Sequence, residues 1–521
     1  MLRRILLALV ILLAGCSRPV DMSMLEEEVT TTPGVVVALP APTAAGDAPA
    51  PAAGAATGVP APAATPAPAV TRTYPTRAPV GQAPTPDPAR GVSAGQQVDT
   101  YVVTWGDTLA SIALKYGTTV EALLALNGLT DADHVAAGTR LQVPVTPDVT
   151  GPATKLIPDS ELVYGPAARD FVVAEFVAPY GGYLPAYSEE AEGAWRSGPE
   201  IVQLVADHYS VNPRLLLALL ELKSGWVTNP NPPNTVYPMG SYDPWRTGLY
   251  KQLAWTADQL NVGYYGWRER GLATAQLADA RVLLPDGLNA GTAGLEYFLA
   301  LGTGLDAWRQ LVGQDGFPAV YARFFGDPFA YAFEPLVPAG LSQPPLVVPW
   351  ASGTWYYTGG PHGGWGDGGA WAALDFVSPQ SGYGCSPAPE WVTASAAGLV
   401  VRSGDGQVVI DLDGDGFEGT GWTLHYSHLA TDGRVAAGTP VNAGDPLGHP
   451  SCEGGYSEAT HVHFARRYNG EWISAVGPVP FDLSGWIAAS LGQSYDGTLA
   501  RGDQLRTACE CKEDATNGIS P

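Results

Sequence analysis

Thr460-His461-Val462-His463-Phe464 decides how the last third of this chain folds. Side chains alternate faces along an extended strand, so His461 and His463, two residues apart, point the same way into one site. Outward from this stretch, the composition beyond Val347 turns to Gly, Trp and runs of β-type residues. Val392 to Ser403 alternates loosely, and Gln407-Val408-Val409-Ile410-Asp411 and Trp422 to His428 flank a Gly-rich turn. The pattern predicts an antiparallel sheet, whose neighbouring strands can present side chains from distant sequence positions on one rigid face.

Three further segments carry groups of the same chemical kind: Gly359-Gly360-Pro361-His362, Ala373-Leu374-Asp375-Phe376 and Tyr426-Ser427-His428-Leu429. A lone buried histidine is more often a satisfied core residue, so it is the four segments in this order that point to a site. Catalytic zinc takes three protein ligands and leaves a fourth position for water, whose pKa falls towards 7. Nearby imidazoles can then move protons and steady an oxyanion.

In this arrangement the segments resemble the lysostaphin/LytM-type zinc endopeptidases, most closely the β-lytic branch. The His362-to-Asp375 spacing, Pro450-Ser451-Cys452-Glu453-Gly454-Gly455 and Arg466-Arg467-Tyr468-Asn469-Gly470-Glu471-Trp472 suit that branch, and the likeness covers about residues 350–485. The resemblance implies a β-rich fold in which His362, Asp375 and His463 bind one Zn2+ ion while His428 and His461 act on the water and the tetrahedral intermediate. It further implies cleavage of peptide bonds in the stems or cross-bridges of peptidoglycan. Glu458-Ala459-Thr460 departs from the usual Ser-Thr-Gly-type lead into the His-x-His but removes no ligand. Strand alternation places His425 on the face opposite His428, and His425, His449, His134 and His208 are read as structural. Asp411-Leu412-Asp413-Gly414-Asp415-Gly416 resembles half of a calcium loop, but Trp422 stands where a bidentate Glu belongs, so a tight acidic hairpin is expected.

Tyr101-Val102-Val103-Thr104-Trp105-Gly106-Asp107-Thr108-Leu109, then Leu126-Asn127-Gly128 and Gly138-Thr139-Arg140-Leu141-Gln142-Val143-Pro144, predict a small βααβ unit over 101–145. Asp107 is expected to cap the first helix, and Thr118 with Glu121 to form a capping box that turns Leu123, Leu124 and Leu126 inward. The strings resemble the LysM module, which implies binding of N-acetylglucosamine-containing glycan between Gly106-Asp107-Thr108 and Asn127-Gly128-Leu129. Each of these residues also has a purely structural use, Asp107 as a helix cap.

The middle region, 155–345, is richer in helix signals: Pro213 suits the first turn of a helix through Leu215 to Leu222, and others are expected near Gln252–Leu260 and Thr292–Leu301. Leu216 to Trp226 resembles the catalytic helix of lysozyme-like lytic transglycosylases, except that Lys223 stands in place of the glutamate. A lysine cannot be the protonated carboxyl that assists a glycosidic leaving group. Glu221 lies about 200° around the helix from it. The region reads as a degenerate lysozyme-like domain that binds or spaces.

With 521 residues, three folded units plus linkers are expected. Arg3, Arg4 and the apolar run Ile5 to Leu13 read as an export signal over 1–15. Leu13-Ala14-Gly15-Cys16 looks like a lipobox, implying lipidation of Cys16 and anchoring at a bacterial membrane or outer surface facing the wall. Residues 16–100, rich in Ala, Pro and Thr, read as a disordered tether. Its reach is on the order of 50 Å as a coil and about 260 Å if polyproline-like. Residues 347–487 form the expected peptidase domain and 488–521 a polar tail.

Outside the cytoplasm the four remaining cysteines favour disulfides. Cys385 and Cys452, both inside the peptidase-like region, are paired, while Cys509 and Cys511 could form a small ring, bind metal weakly or stay free. A net charge of −24 with 15% charged residues leaves no basic stripe for nucleic acid. The chain is thus multidomain α+β, and the expected partners are peptidoglycan and, through lipid, a membrane. The expected function is wall-peptide hydrolysis, with a non-catalytic wall-binding regulator or a membrane-to-wall linker as alternatives.

Overall fold

The structure, a computed structural model, describes residues 97–103, 106–132, 135, 139–382 and 384–521. The expected signal segment, Cys16, the tether up to residue 96 and His134 lie outside these residues. Strand β1 (Gln97–Val102) pairs antiparallel with β2 (Arg140–Val145) around helices α1 (Leu109–Lys115) and α2 (Val120–Asn127). This is the expected βααβ unit, begun four residues earlier. Leu109, Ile112, Leu123, Leu141 and Val143 form its core.

The caps differ from expectation. Thr108, not Asp107, caps α1 in a reciprocal box with Ser111, because Asp107 instead accepts from the Tyr101 hydroxyl at 2.6 Å. Thr119 rather than Thr118 caps α2 through Ala122 N–H. That start turns Leu126 outward, while Leu123 is buried.

The middle domain packs α3 (Gly198–Tyr209), α4 (Pro213–Ser224), α5 (Leu249–Glu269), α6 (Ala290–Ala300), α7 (Leu305–Val312) and α8 (Phe317–Phe325). Asn212 caps α4, Pro213 takes its first turn, and Gly225 ends it at φ +71°. Leu215 to Leu220 are buried on every side, so α4 is a central core helix.

The C-terminal sheet is built from β3 (Trp355–His362), β4 (Ala373–Val377), β5 (Gly398–Gly404), β6 (Gln407–Asp411), β7 (Trp422–Ser427), β8 (Pro440–Val441), β9 (Val462–Tyr468), β10 (Glu471–Trp472) and β11 (Gly518–Ile519). The strands run in the order β8-β5-β6-β7-β9-β4-β3-β11, all antiparallel, with β10 also on β9. One face carries Leu374, Phe376, Val408, Ile410, Leu424, Val462 and Phe464 into the sheet's own core. On the other, Ala373, Ala465 and Trp472 join the core of the middle domain.

Residues 488–521, expected as a polar tail, are folded. Trp486–Ser490, Gly497–Arg501 and Gln504–Thr507 form a small sheet with Asp482–Leu483, and β11 completes the edge of the main sheet. The strands are too short and too polar on their outer face to announce themselves, but Leu499 and Ile519 are buried.

Candidate functional site

The register of the sheet assembles the site. His463 on β9 lies opposite Asp375 on β4 and Ser427 on β7, and β3 bulges so that Gly359 opposes Asp375 while His362 reaches the next row. Cross-strand partners share a face, so three distant segments converge. Ligand atoms of His362, Asp375 and His463 all lie within 4.8 Å of one another, and the three residues are buried.

Hydrogen bonds behind the rings fix which nitrogens face inward. His362 Nδ1 lies 2.7 Å from the Gly360 carbonyl and His463 Nε2 2.9 Å from the Gly364 carbonyl, so each places its proton there. Lone pairs are left on His362 Nε2 and His463 Nδ1, 3.0 Å apart and 3.4 and 3.2 Å from Asp375 Oδ1. That oxygen is buried and receives no hydrogen bond. Three acceptors facing one another without a proton between them repel, and a cation relieves that repulsion. The donor set therefore fits a small N/O-binding metal ion such as zinc.

The other two histidines close the site. His461 places Nδ1 2.7 Å from the Ala459 carbonyl and 3.3 Å from Ser457 Oγ, leaving Nε2 3.7 Å from Asp375 Oδ1. His428 follows the end of β7 with φ +63°, and its ring centroid lies 4.5 Å from that of His461. Its Nδ1 is 3.2 Å from the Glu453 carbonyl. Burial, then the neighbouring His461 and His463, lowers its pKa to about 3, so it is neutral.

His425 is structural, though strand alternation is not the reason. Its register partner Ala465 puts it on the same face as His463, one row further along, and His428 has already left the strand. His425 bonds Thr423 Oγ1 at 3.0 Å and packs on Trp472. His449 packs on Trp391, and His208 lies against Trp365 with neither ring nitrogen hydrogen-bonded. Asp411, Asp413 and Asp415 form the tight acidic hairpin, held by backbone N–H groups and by Arg169 on Asp415 at 2.6 Å, with their carboxylates within 4.8 Å of one another.

Tyr495 was not legible as a site residue. It sits in the segment expected as a tail, yet its ring stacks 4.1 Å above that of His362. Burial, then the carboxylates of Asp375 and Asp367, pushes its phenol up, so it remains a donor. Disulfides join Cys385 to Cys452, whose neighbours Gly384 and Ser451 pair with Thr460 and His461, and Cys509 to Cys511.

In the N-terminal module Asp107, Thr108 and Asn127 hold the fold. Asn127 donates to the Leu123 and Gln142 carbonyls and accepts from Gln142 N–H. Gly106 and Gly128 have φ +90° and +63°, the latter ending α2 just before Leu129. In the middle domain, Glu221 accepts from Val227 N–H, Thr228 N–H, Thr228 Oγ1 and Arg323. Burial lowers the pKa of Lys223. Neither offers the acid of a glycosidase.

Sheet, site and modules together define a multidomain metallopeptidase. Residues 101–144 match the LysM domain, 155–338 the LasA N-terminal domain and 382–475 peptidase family M23. The chain thus carries a LysM domain, a LasA N-terminal domain and a C-terminal M23 peptidase domain. It is 28% identical over 311 residues to Protease LasA of Pseudomonas aeruginosa, covering 56% of this chain and 72% of that protein. To the beta-lytic metalloendopeptidase of Achromobacter lyticus it is 30% identical over 171 residues, 32% of this chain and 42% of the other. The solved structure of the M23 metalloprotease pseudoalterin, from the deep sea, is similar at 24% identity and a TM-score of 0.27, over 33% of this chain and 96% of that one.

Proposed function

We propose that this protein is a zinc-dependent endopeptidase that hydrolyses the peptide stems or cross-bridges of peptidoglycan. In this reading it is exported, lipid-anchored through Cys16 and held on wall glycan by its LysM domain. The observation that carries the reading is the convergence of lone pairs from His362 Nε2, His463 Nδ1 and Asp375 Oδ1 on one buried point. The names of the relatives, a protease and a metalloendopeptidase, support the reaction class, and the LysM match supports the wall as its place of action.

His362, Asp375 and His463 hold the ion, which when bound supplies Lewis acidity and an acidified water. The Gly360 and Gly364 carbonyls lock the two imidazole tautomers, so the ligating nitrogens need no reorganisation. Neutral His428, with its proton held at Nδ1 by Glu453 O, offers Nε2 as the base that takes a proton from the attacking water. The proton that His428 Nε2 takes up is the one returned to the leaving nitrogen as the peptide bond breaks, while His461, with Nδ1–H on Ala459 O, keeps Nε2 towards the site as an acceptor for the attacking water. The phenol of Tyr495 is a further donor for a developing oxyanion.

Purified peptidoglycan incubated with the protein or with His463→Ala, followed by mass spectrometry of released fragments, tests the reading. New peptide termini made only by the unmutated protein are expected. Wall binding by both proteins with no fragments from either would overturn the enzyme in favour of a wall-binding regulator.

A further inference from the structure

Beyond the metal-ligand cluster, the loop between β3 and β4 has a second face. Gly364 gives its carbonyl to His463, and two residues on, Gly366 and Asp367 line an open cleft of about 370 Å³. The opposite wall is the middle domain: Tyr209, Trp245, Arg246, Tyr250, Trp255 and Asp258. Two virtual bonds span at most about 7.6 Å, so the cleft wall at Gly366 lies within that backbone distance of the residue whose carbonyl holds His463. The cleft is fixed in place. Asp258 Oδ1 accepts from Gly368 N–H at 2.8 Å, and the Arg270 guanidinium donates to the Gly368 and Gly369 carbonyls at 3.1 Å.

Its lining is unusual for a surface without a ligand. Trp245 is 83% exposed, three residues after Tyr242 at 75%, on the irregular Asn- and Pro-rich segment that joins α4 to α5. Trp255 is half-buried against Phe298, with the Arg246 guanidinium 5.6 Å from its ring. Large exposed aromatics grouped around a few polar groups mark ligand sites. The charges balance: Asp258 and Asp367 stand against Arg246 and Lys251, so the cleft selects neither anion nor cation. Asp258 Oδ2 takes a long 3.3 Å bond from Gln259 on the cleft side of α5. Flat aromatic faces with interspersed donors and acceptors suit a neutral ring that is apolar on its faces and hydroxylated at its edge. The volume, near the small end of the 300–1,000 Å³ usual for such clefts, admits sugar residues rather than a folded partner.

We propose that this cleft is a saccharide subsite that holds the glycan strand of the substrate while its peptide reaches His463. The inference rests on the proposed wall-hydrolase reading. The middle domain thereby becomes a wall of the substrate groove, and Trp245 is the platform on which a sugar ring stacks.

Two measurements on the full chain test it. In the first, Trp245→Ala is compared with the unmutated protein on soluble peptidoglycan fragments and on the same peptides stripped of glycan. Because Trp245 is 83% exposed, its truncation leaves the core untouched. The expected result is a kcat/KM that falls about tenfold more on the glycan-bearing substrate than on the stripped peptide, through KM. An equal change on both substrates would overturn the subsite.

The second measurement is independent of catalysis: peptide-free glycan chains are added and Trp245 oxidation by hydroxyl radicals is followed by mass spectrometry. Protection of Trp245 supports the subsite even if no peptide is cut, and full oxidation at glycan saturation of the protein overturns it. Failure to cut any peptide would instead sink the hydrolase reading.

Discussion

His208 of α3 packs its ring 4.4 Å from that of Trp365, and so ties the middle domain to the loop that orients His463. The residue before Trp365, Gly364, supplies the carbonyl on His463 Nε2, and a side chain there would meet Trp472 at 2.4 Å. Loss of this ring contact should loosen that carbonyl. His208→Ala is expected to weaken zinc binding about tenfold, the low end for a group that supports a ligand. His208→Phe keeps an aromatic ring and should keep the affinity. Competition with a chelator reads this directly, and equal affinities in all three proteins would refute the link.

The same pair carries a pH prediction. Burial, then Arg402, Arg467 and Arg196, lowers the pKa of His208 well below its ordinary value. The unfolded chain therefore binds a proton there that the folded one refuses. Stability rises with pH until the unfolded value near 6.5 is passed and is lost progressively as pH falls below it. In His208→Phe that acid-side slope should shrink, as measured by urea unfolding between pH 7 and 5. An identical slope would show that His208 is not the group responsible.

Ligand and base should separate cleanly. His463→Ala removes one of three donors and is expected to abolish both bound metal and turnover. His428→Ala leaves the donors intact, so metal content should stay at one per chain while kcat falls by about 10²–10⁴. Elemental analysis beside turnover distinguishes them. Loss of metal from His428→Ala would place His428 among the ligands.

Much of this site was legible because metal chemistry is confined to few residue types, and His362, Asp375, His428, His461 and His463 stand in short distinctive segments. What was not legible depends on backbone geometry and on long-range packing. His428 reaches His461 through a φ of +63° that alternation cannot foresee. Tyr495 has no local signature, since it belongs to the site only because 488–521 folds back on β3. Arg466 to Trp472 could be recognised as a string, yet its partners could not. The Trp472 N–H donates to the Tyr265 hydroxyl, 207 residues away, and the Glu471 carboxylate meets Arg268 at 3.2 Å. The cap of α1 moved by one residue because Asp107 had a competing partner in Tyr101.

Glu296 in α6 is a buried carboxyl with no hydrogen-bond partner on either oxygen among the described residues. Burial raises its pKa to about 8. The sign runs opposite to that of His208. Between the ordinary carboxyl value and about 8 the folded protein holds a proton that the unfolded chain has released, so stability falls as pH rises, by on the order of 1.4 kcal/mol per unit, and levels off above. Glu296→Gln, neutral throughout, should lose this slope and be the more stable protein at pH 9. Denaturant unfolding at pH 6 and 9 checks it, and a variant less stable than the parent at pH 9 would mean that an unseen partner satisfies the carboxylate.

The middle domain and the peptidase sheet share one hydrophobic core, in which Ala370, Ala373, Ala465 and Trp472 pack with the helices. Arg467 pins the junction: it donates to the Asp207 and His208 carbonyls at 2.9 and 2.8 Å, and its guanidinium lies 3.8 Å above Trp472. Burial pushes its pKa down to about 9, so the charge is held at the expense of stability and kept by these contacts. Arg467→Met removes the donors from two buried carbonyls, while Glu418 keeps Arg402 at 2.9 Å. The expected loss is about 3 kcal/mol, the low end for breaking a buried charge network. Because apolar contacts and buried hydrogen bonds cross the junction together, the two domains should melt as one cooperative unit, and Arg467→Met should lower that single midpoint. Two separate calorimetric transitions in the unmutated protein would show instead that the middle domain is only docked on the peptidase.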